Sequence, residues 1–125
     1  LIGSFNRLNN GPEYVDHHVF FAIASDRNGL NHVSYESRDI DAIFIGHNHM
    51  KKKGYRHTWG IGRHVLGSQV FDYWYDPNNV VHEHWADSDV RCEADGSNLL
   101  KPEEGLFNQW GPDLPEEFMR HTVPF

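Results

Sequence analysis

Ten histidines stand out among the 125 residues, and their positions decide what they could do. Imidazole titrates near neutral pH, so histidine serves as a proton shuttle and a metal ligand. The segment 80–85, VVHEHW, sets two of them either side of a carboxylate. His82 and His84, two apart on a strand, share a face and could hold zinc. The same alternation puts Val81, Glu83 and Trp85 on the opposite face. Only one set can point into a site. If Glu83 faces an apolar core, it needs a cation, a metal or several donors, and His82 and His84 are then surface residues. If the strand lies at an edge, its polar residues simply face water. Two imidazoles and one carboxylate on one face of a metal suit non-haem Fe(II), with positions left open for substrate and dioxygen. His32 and Glu83 could supply two of those three ligands.

Periodicity locates the elements that must position these residues. Residues 17–24 (HHVFFAIA) are short, apolar and aromatic, which reads as a buried strand. Alternation along it would turn His17 and His18 to opposite sides. Residues 30–37 (LNHVSYES) alternate, with Asn31, Val33 and Tyr35 on one side and His32, Ser34 and Glu36 on the other. Ile40, Ile43, Phe44, His47 and Met50 then fall at helical spacing. Ser37 or Asp39 can cap that helix, Lys51, Lys52 and Lys53 suit its last turn, and Gly54 can end it. A strand at 55–59, a loop marked by Gly60 and Gly62, and a strand at 68–75 follow. Asp76-Pro77-Asn78-Asn79 is a turn signal before the strand at 80–85.

The expected fold class is therefore α+β. A βαβββ unit spans 28–86, with its first and last strands side by side in a curled sheet. Residues 1–27 read as the end of a preceding, similar unit. Residues 87–125 hold four of the six prolines and read as an irregular tail pinned by Phe107, Trp110 and Phe118.

Charge and composition narrow the partners. Lys+Arg 11 against Asp+Glu 18 gives −7, which argues against nucleic acid. No apolar run approaches the roughly 18 residues of a membrane span. Cys92 stands alone, cannot form an internal disulfide, and fits a cytoplasmic setting. No secretory signal opens the chain. It starts at Leu1 rather than Met, as a piece of a longer protein would.

At this point the motifs become specific. GLNHVSYES (29–37), GRHVLGSQVFDYW (62–74) and DPNNVVHEHW (76–85), with HHVFFA (17–22) upstream, resemble the type I extradiol ring-cleaving dioxygenases. Those enzymes belong to the glyoxalase/bleomycin-resistance, or vicinal oxygen chelate, superfamily. The resemblance implies a βαβββ module and Fe(II), with Mn(II) as the alternative, acting on a catechol-type diol and O2. It implies a cytoplasmic enzyme that is a homo-oligomer when intact. The metal ligands would fall on His32 and Glu83. The acid–base histidine would fall on His18, with His17 as the alternative. His64, in the GRH turn, and Tyr73 would hold the substrate, and Phe20, Phe71 and Trp74 are candidates for an apolar wall around its ring. The family's first metal histidine has no counterpart in residues 1–16, so two of three ligands are expected here. A non-catalytic ligand-binding module, an isomerase of the glyoxalase kind and an inactive fragment are the other readings. Oxygen uptake on catechols separates them.

Overall fold

The structure is a computed structural model that describes residues 2–105 and 108–124. Phe107, expected to pin the tail, lies outside the described residues. In chain order the elements are β1 (Gly3–Asn6), β2 (Val15–Asp16), β3 (Phe20–Ile23), β4 (His32–Glu36) and α1 (Ile40–Lys52). Then come β5 (His57–His64), β6 (Val70–Tyr75), β7 (Val81–Ala86), β8 (Val90–Arg91), a 3-10 turn (Glu93–Asp95), α2 (Pro102–Gly105), β9 (Asn108–Trp110) and α3 (Glu116–Arg120).

The βαβββ order is the one expected. Its strands form one sheet in the order β4-β7-β6-β5, extended by β9. β4 and β7 are parallel neighbours, so the first and last strands of the unit do lie side by side. The other pairings are antiparallel. Parallel pairing requires a crossover, and α1 starts it by laying itself across one face. Asp39, not Ser37, caps α1: its Oδ1 accepts the Ala42 N–H at 2.8 Å. The helix ends at Lys53, and Gly54 follows in the left-handed region (φ +75°), which suits a residue with no Cβ. Ile43 is buried against the sheet, whereas Phe44, expected in the same stripe, stays about half exposed.

Every residue of β6 is buried, because both faces of the sheet are covered. α1 lies on one face. On the other, Trp59, Phe71, Tyr73, Tyr75, Val81 and Phe118 form the apolar core, with Leu114 packed against it. Alternation along VFDYWY therefore sends Phe71, Tyr73 and Tyr75 to the core face and Asp72 and Trp74 to the helix face.

Three expectations are overturned. The glycine-marked loop at 60–62 is strand: β5 runs on to His64, with irregular register around both glycines. A Cβ on Gly62 would come 2.6 Å from Phe71 Cζ, so glycine lets the strand pass over that ring. The segment 17–24 is not buried. Among the described residues β3 pairs only with β1, in a separate two-stranded ribbon, and Phe20 is 62% exposed because nothing described covers it. The tail is not wholly irregular, since β9 adds a strand to the sheet beside β5. Phe118 anchors it through α3, while Trp110 pairs by backbone and stays about half exposed.

Phe118 is the tail's apolar anchor over Tyr73 and Trp59, at ring centroids of 4.7 and 5.2 Å. Phe118→Ala should cost about 3 kcal/mol, measured as a lowered midpoint in urea unfolding. A loss below about 1 kcal/mol would mean that the tail is not part of the core.

Candidate functional site

Glu83 sits in the middle of a row that crosses the sheet. Its direct neighbours are Ser34 on β4 and Tyr73 on β6, and Tyr73 is in turn opposite Trp59 on β5. The carboxylate is buried, on the face opposite His82 and His84. Burial alone would neutralise it. Instead, polar groups converge on it. Ser34 Oγ donates to Oε2. His32 Nε2 lies 3.5 Å from Oε2 and His64 Nε2 lies 3.6 Å from Oε1. Burial pushes the Glu83 carboxyl up, but the hydrogen-bonding contacts and charges of His32 and His64 outweigh it and hold the group well below the usual carboxylate range.

Tyr73 completes the cluster. Its hydroxyl is 3.0 Å from His64 Nε2. Burial, and then the Glu83 charge, push the phenol well above its ordinary value, so it stays neutral and can donate a hydrogen bond. His64 is held flat against Phe71, with centroids 4.0 Å apart.

The orientation of His32 follows from a chain of hydrogen bonds. Asn31 Nδ2 donates to the carbonyls of Phe118 and His121, at 3.1 and 2.9 Å. That fixes Oδ1 as the atom facing His32 Nδ1 at 2.6 Å. An amide oxygen only accepts, so Nδ1 carries the proton. Nε2 is then the nitrogen presented to Glu83. A ring nitrogen and a carboxylate oxygen at 3.5 Å need a positive charge between them, a proton or a metal ion. The donor set thus fits a divalent cation, and Asn31 is the outer partner that histidine ligands commonly use to set their tautomer.

His18 and His17 do not sit on a strand. They lie in the bend between β2 and β3, so alternation does not part them. Their Nδ1 atoms are 3.1 Å apart, and Phe5 meets the His18 ring edge-on at 4.8 Å. Burial, then the neighbouring His17, lower the His18 pKa to about 4 against the opposing pull of Glu83. His18 therefore feels the Glu83 cluster without touching it. Two wall candidates are displaced: Phe20 faces solvent, and Trp74 lies on the helix face. Phe71 stays beside His64. His82 and His84 are half-buried rather than solvated, because β7 is covered on both sides. His82 stacks on Tyr35 (centroids 5.8 Å, planes 7° apart).

Sequence reasoning missed a second polar cluster. On the helix face, His47, His57 and Asp72 each offer an atom within 4.8 Å of the others. The signal was present: Asp72 is the one charge inside VFDYWY. His47 was read only as part of an apolar stripe.

No family model matches the chain. Metapyrocatechase 2 of Cupriavidus necator is 37% identical over 115 residues, covering 90% of this chain. The chain is thus similar to a metapyrocatechase over most of its own length, in line with the resemblance carried by its motifs. It spans only 36% of that relative's length. Among solved structures, the Mn(II)-bound glyoxalase from Novosphingobium aromaticivorans matches with 25% identity and TM-score 0.77, over 98% of this chain and 40% of that one. Homoprotocatechuate 2,3-dioxygenase from Brevibacterium fuscum, in complex with 3,4-dihydroxyphenylacetate, matches with TM-score 0.72 at 18% identity, over 84% of this chain and 34% of that one. A catechol 2,3-dioxygenase shares the fold at TM-score 0.62 and 18% identity, over 86% of this chain and 34% of that one.

The His18 environment has a pH consequence. Its folded pKa, about 4, lies below the ordinary 6.5, so the fold binds the neutral ring. The stability this contributes is present above about pH 6.5 and is lost as pH falls towards 4. Urea unfolding across that window should show a steeper acid loss for the native chain than for His18→Gln, and NMR titration should place the His18 midpoint below pH 5. A midpoint near 6.5 would show the ring to be solvated.

Proposed function

We propose that this chain carries the catalytic half-site of an Fe(II)-dependent extradiol dioxygenase, which opens a catechol-type ring beside the vicinal diol with incorporation of O2. The observation that carries the reading is the buried Glu83 carboxylate facing the Nε2 of a tautomer-fixed His32, with His64 and Tyr73 beside it. His32 and Glu83 would hold the metal. A divalent ion held there would supply open positions at which diol and dioxygen could meet. In the family pattern a further histidine completes the ligand set, and residues 1–16 offer none. Residues 1–27 would then be the end of a preceding unit. A cytoplasmic setting fits the one free, buried cysteine, Cys92, and no described helix is long and apolar enough to cross a membrane.

The protein's own work is positioning and proton transfer. His64 and Tyr73 would hydrogen-bond the bound diol. The Tyr73 phenol, kept neutral, would donate to a developing phenolate oxygen, and His64 would hydrogen-bond the diol beside it. His18, neutral at physiological pH, stands ready to take up and return a proton near the reacting oxygen. Phe71 supplies an apolar surface beside His64. Both oxygen atoms of O2 end in the product, so no external reductant is consumed.

Oxygen uptake with catechol, and a yellow ring-opened product, test the reading on the full-length protein. Glu83→Ala should abolish both, whereas His84→Ala, whose side chain lies on the opposite face of the sheet, should change the rate by less than about threefold, because it touches neither metal nor substrate. His64→Ala and Tyr73→Phe should lower kcat by roughly 10²- to 10⁴-fold while leaving iron affinity unchanged. Asn31→Leu should weaken iron binding about 10- to 100-fold, because His32 loses the partner that orients it. Activity that survives Glu83→Ala would end the proposal. The glyoxalase likeness makes an isomerase the second reading, and turnover of an α-keto thiohemiacetal without oxygen uptake would favour it.

A further inference from the structure

We propose that the helix side of the sheet holds a second divalent-metal site, formed by His47, His57 and Asp72, which takes a zinc- or cobalt-type ion and ties α1 to the sheet. It does not depend on the reading of the Glu83 face. Asp72 and Tyr73 are consecutive on β6, so alternation puts the two clusters on opposite sides of the sheet.

The three residues come from three elements: α1, β5 and β6. His57 Nε2 lies 2.8 Å from Asp72 Oδ1. His47 Nδ1 lies 3.2 Å from Oδ1 and 3.1 Å from Oδ2. The imidazole rings meet at 81°, so their converging nitrogens approach one point from different directions rather than stacking. Such separations suit a hydrogen-bonded clamp, and they also suit neighbouring ligands of one small ion. Metal and proton therefore compete for the same atoms.

Three further features favour an ion. Asp72 is 1% exposed, and a buried carboxylate needs compensating positive charge. The Trp74 indole N–H donates to Asp72 Oδ2 at 2.5 Å. That contact orients the carboxylate from behind, as outer-shell donors do at metal sites. The His47 and His57 side chains are 21% and 31% exposed, so water can reach the cluster as a fourth ligand. Two imidazoles and one carboxylate form a borderline donor set that suits Zn(II) and Co(II), rather than the all-oxygen sets of Mg(II) or Ca(II). By bridging α1 to β5 and β6, the ion would hold the crossover helix on the sheet.

The test uses the whole chain carrying Glu83→Ala, which removes the other candidate metal face. After chelator treatment and chelator removal, titration with Co(II) alone should saturate at one ion per chain and develop the intense visible bands of tetrahedral Co(II). Zn(II) at about a hundredfold excess over its dissociation constant should raise the thermal midpoint by roughly 10 °C. His57→Phe in the same background keeps an aromatic ring against Trp74. It should stay folded by circular dichroism and bind Co(II) more than about 100-fold more weakly, since losing a ligand exceeds the loss of an outer partner. Asp72→Asn should abolish binding, and His57→Phe carries the test if that variant fails to fold. No uptake of Co(II) by the Glu83→Ala chain would overturn the proposal. So would uptake that His57→Phe leaves unchanged, which would assign the metal to scattered histidines. Activity of the Glu83 face stands or falls separately, because it is read in the chain with Glu83 intact.

Discussion

A carboxylate inside a sheet is expensive unless something positive meets it. Glu83 is such a group, and much of the core face is arranged around it. Ser34 reaches it from one neighbouring strand and Tyr73 borders it on the other. His32 and His64 approach from the two sides. Removing any one of these would leave a buried charge less well met, at a cost of the order of 1–3 kcal/mol. The parallel pairing of β4 with β7 is what brings His32 and Glu83 together, since they stand 51 positions apart in sequence terms and meet only through the crossover.

The support for that cluster reaches into the C-terminal segment. Asn31 is tied to the backbone of Phe118 and His121, and Phe118 itself packs over Tyr73 and Trp59. One short helix therefore closes the apolar core and also sets which nitrogen of His32 faces the carboxylate. Packing and chemistry are coupled here because both depend on where α3 docks.

β6 divides the molecule electrostatically. Successive residues on a strand face opposite ways, so Asp72 and Tyr73 serve two different polar clusters through one stretch of backbone. Because β6 is buried on both faces, the Asp72 carboxylate and the Tyr73 side chain are shut off from bulk water even where the histidines around them are partly exposed. Each must find partners locally, and histidine supplies them on both sides: His32 and His64 on the core face, His47 and His57 on the helix face.

Much of this was legible in the chain itself. Alternation in VVHEHW separated Glu83 from its flanking histidines, and alternation in LNHVSYES aligned His32 with Ser34, because side-chain parity is a local property of extended backbone. Helical spacing, with Ser37 or Asp39 as its cap, located α1 for the same reason. Other features depended on distant neighbours. Gly60 and Gly62 read as a loop because glycine is locally permissive; only the close approach of the β6 backbone to Gly60 and of the Phe71 ring to Gly62 explains a strand. The HHVFFAIA segment read as buried because it is apolar, yet burial requires a covering layer, and composition cannot supply one. His17 and His18 read as strand residues, but a bend brings their rings together. His47 looked like one more apolar-stripe position until β5 and β6 placed His57 and Asp72 beside it. Periodicity and local conformation were thus determined by the sequence alone. Which charges meet, which tautomer His32 adopts and which faces stay dry were decided by tertiary structure, because those depend on groups far apart in the chain.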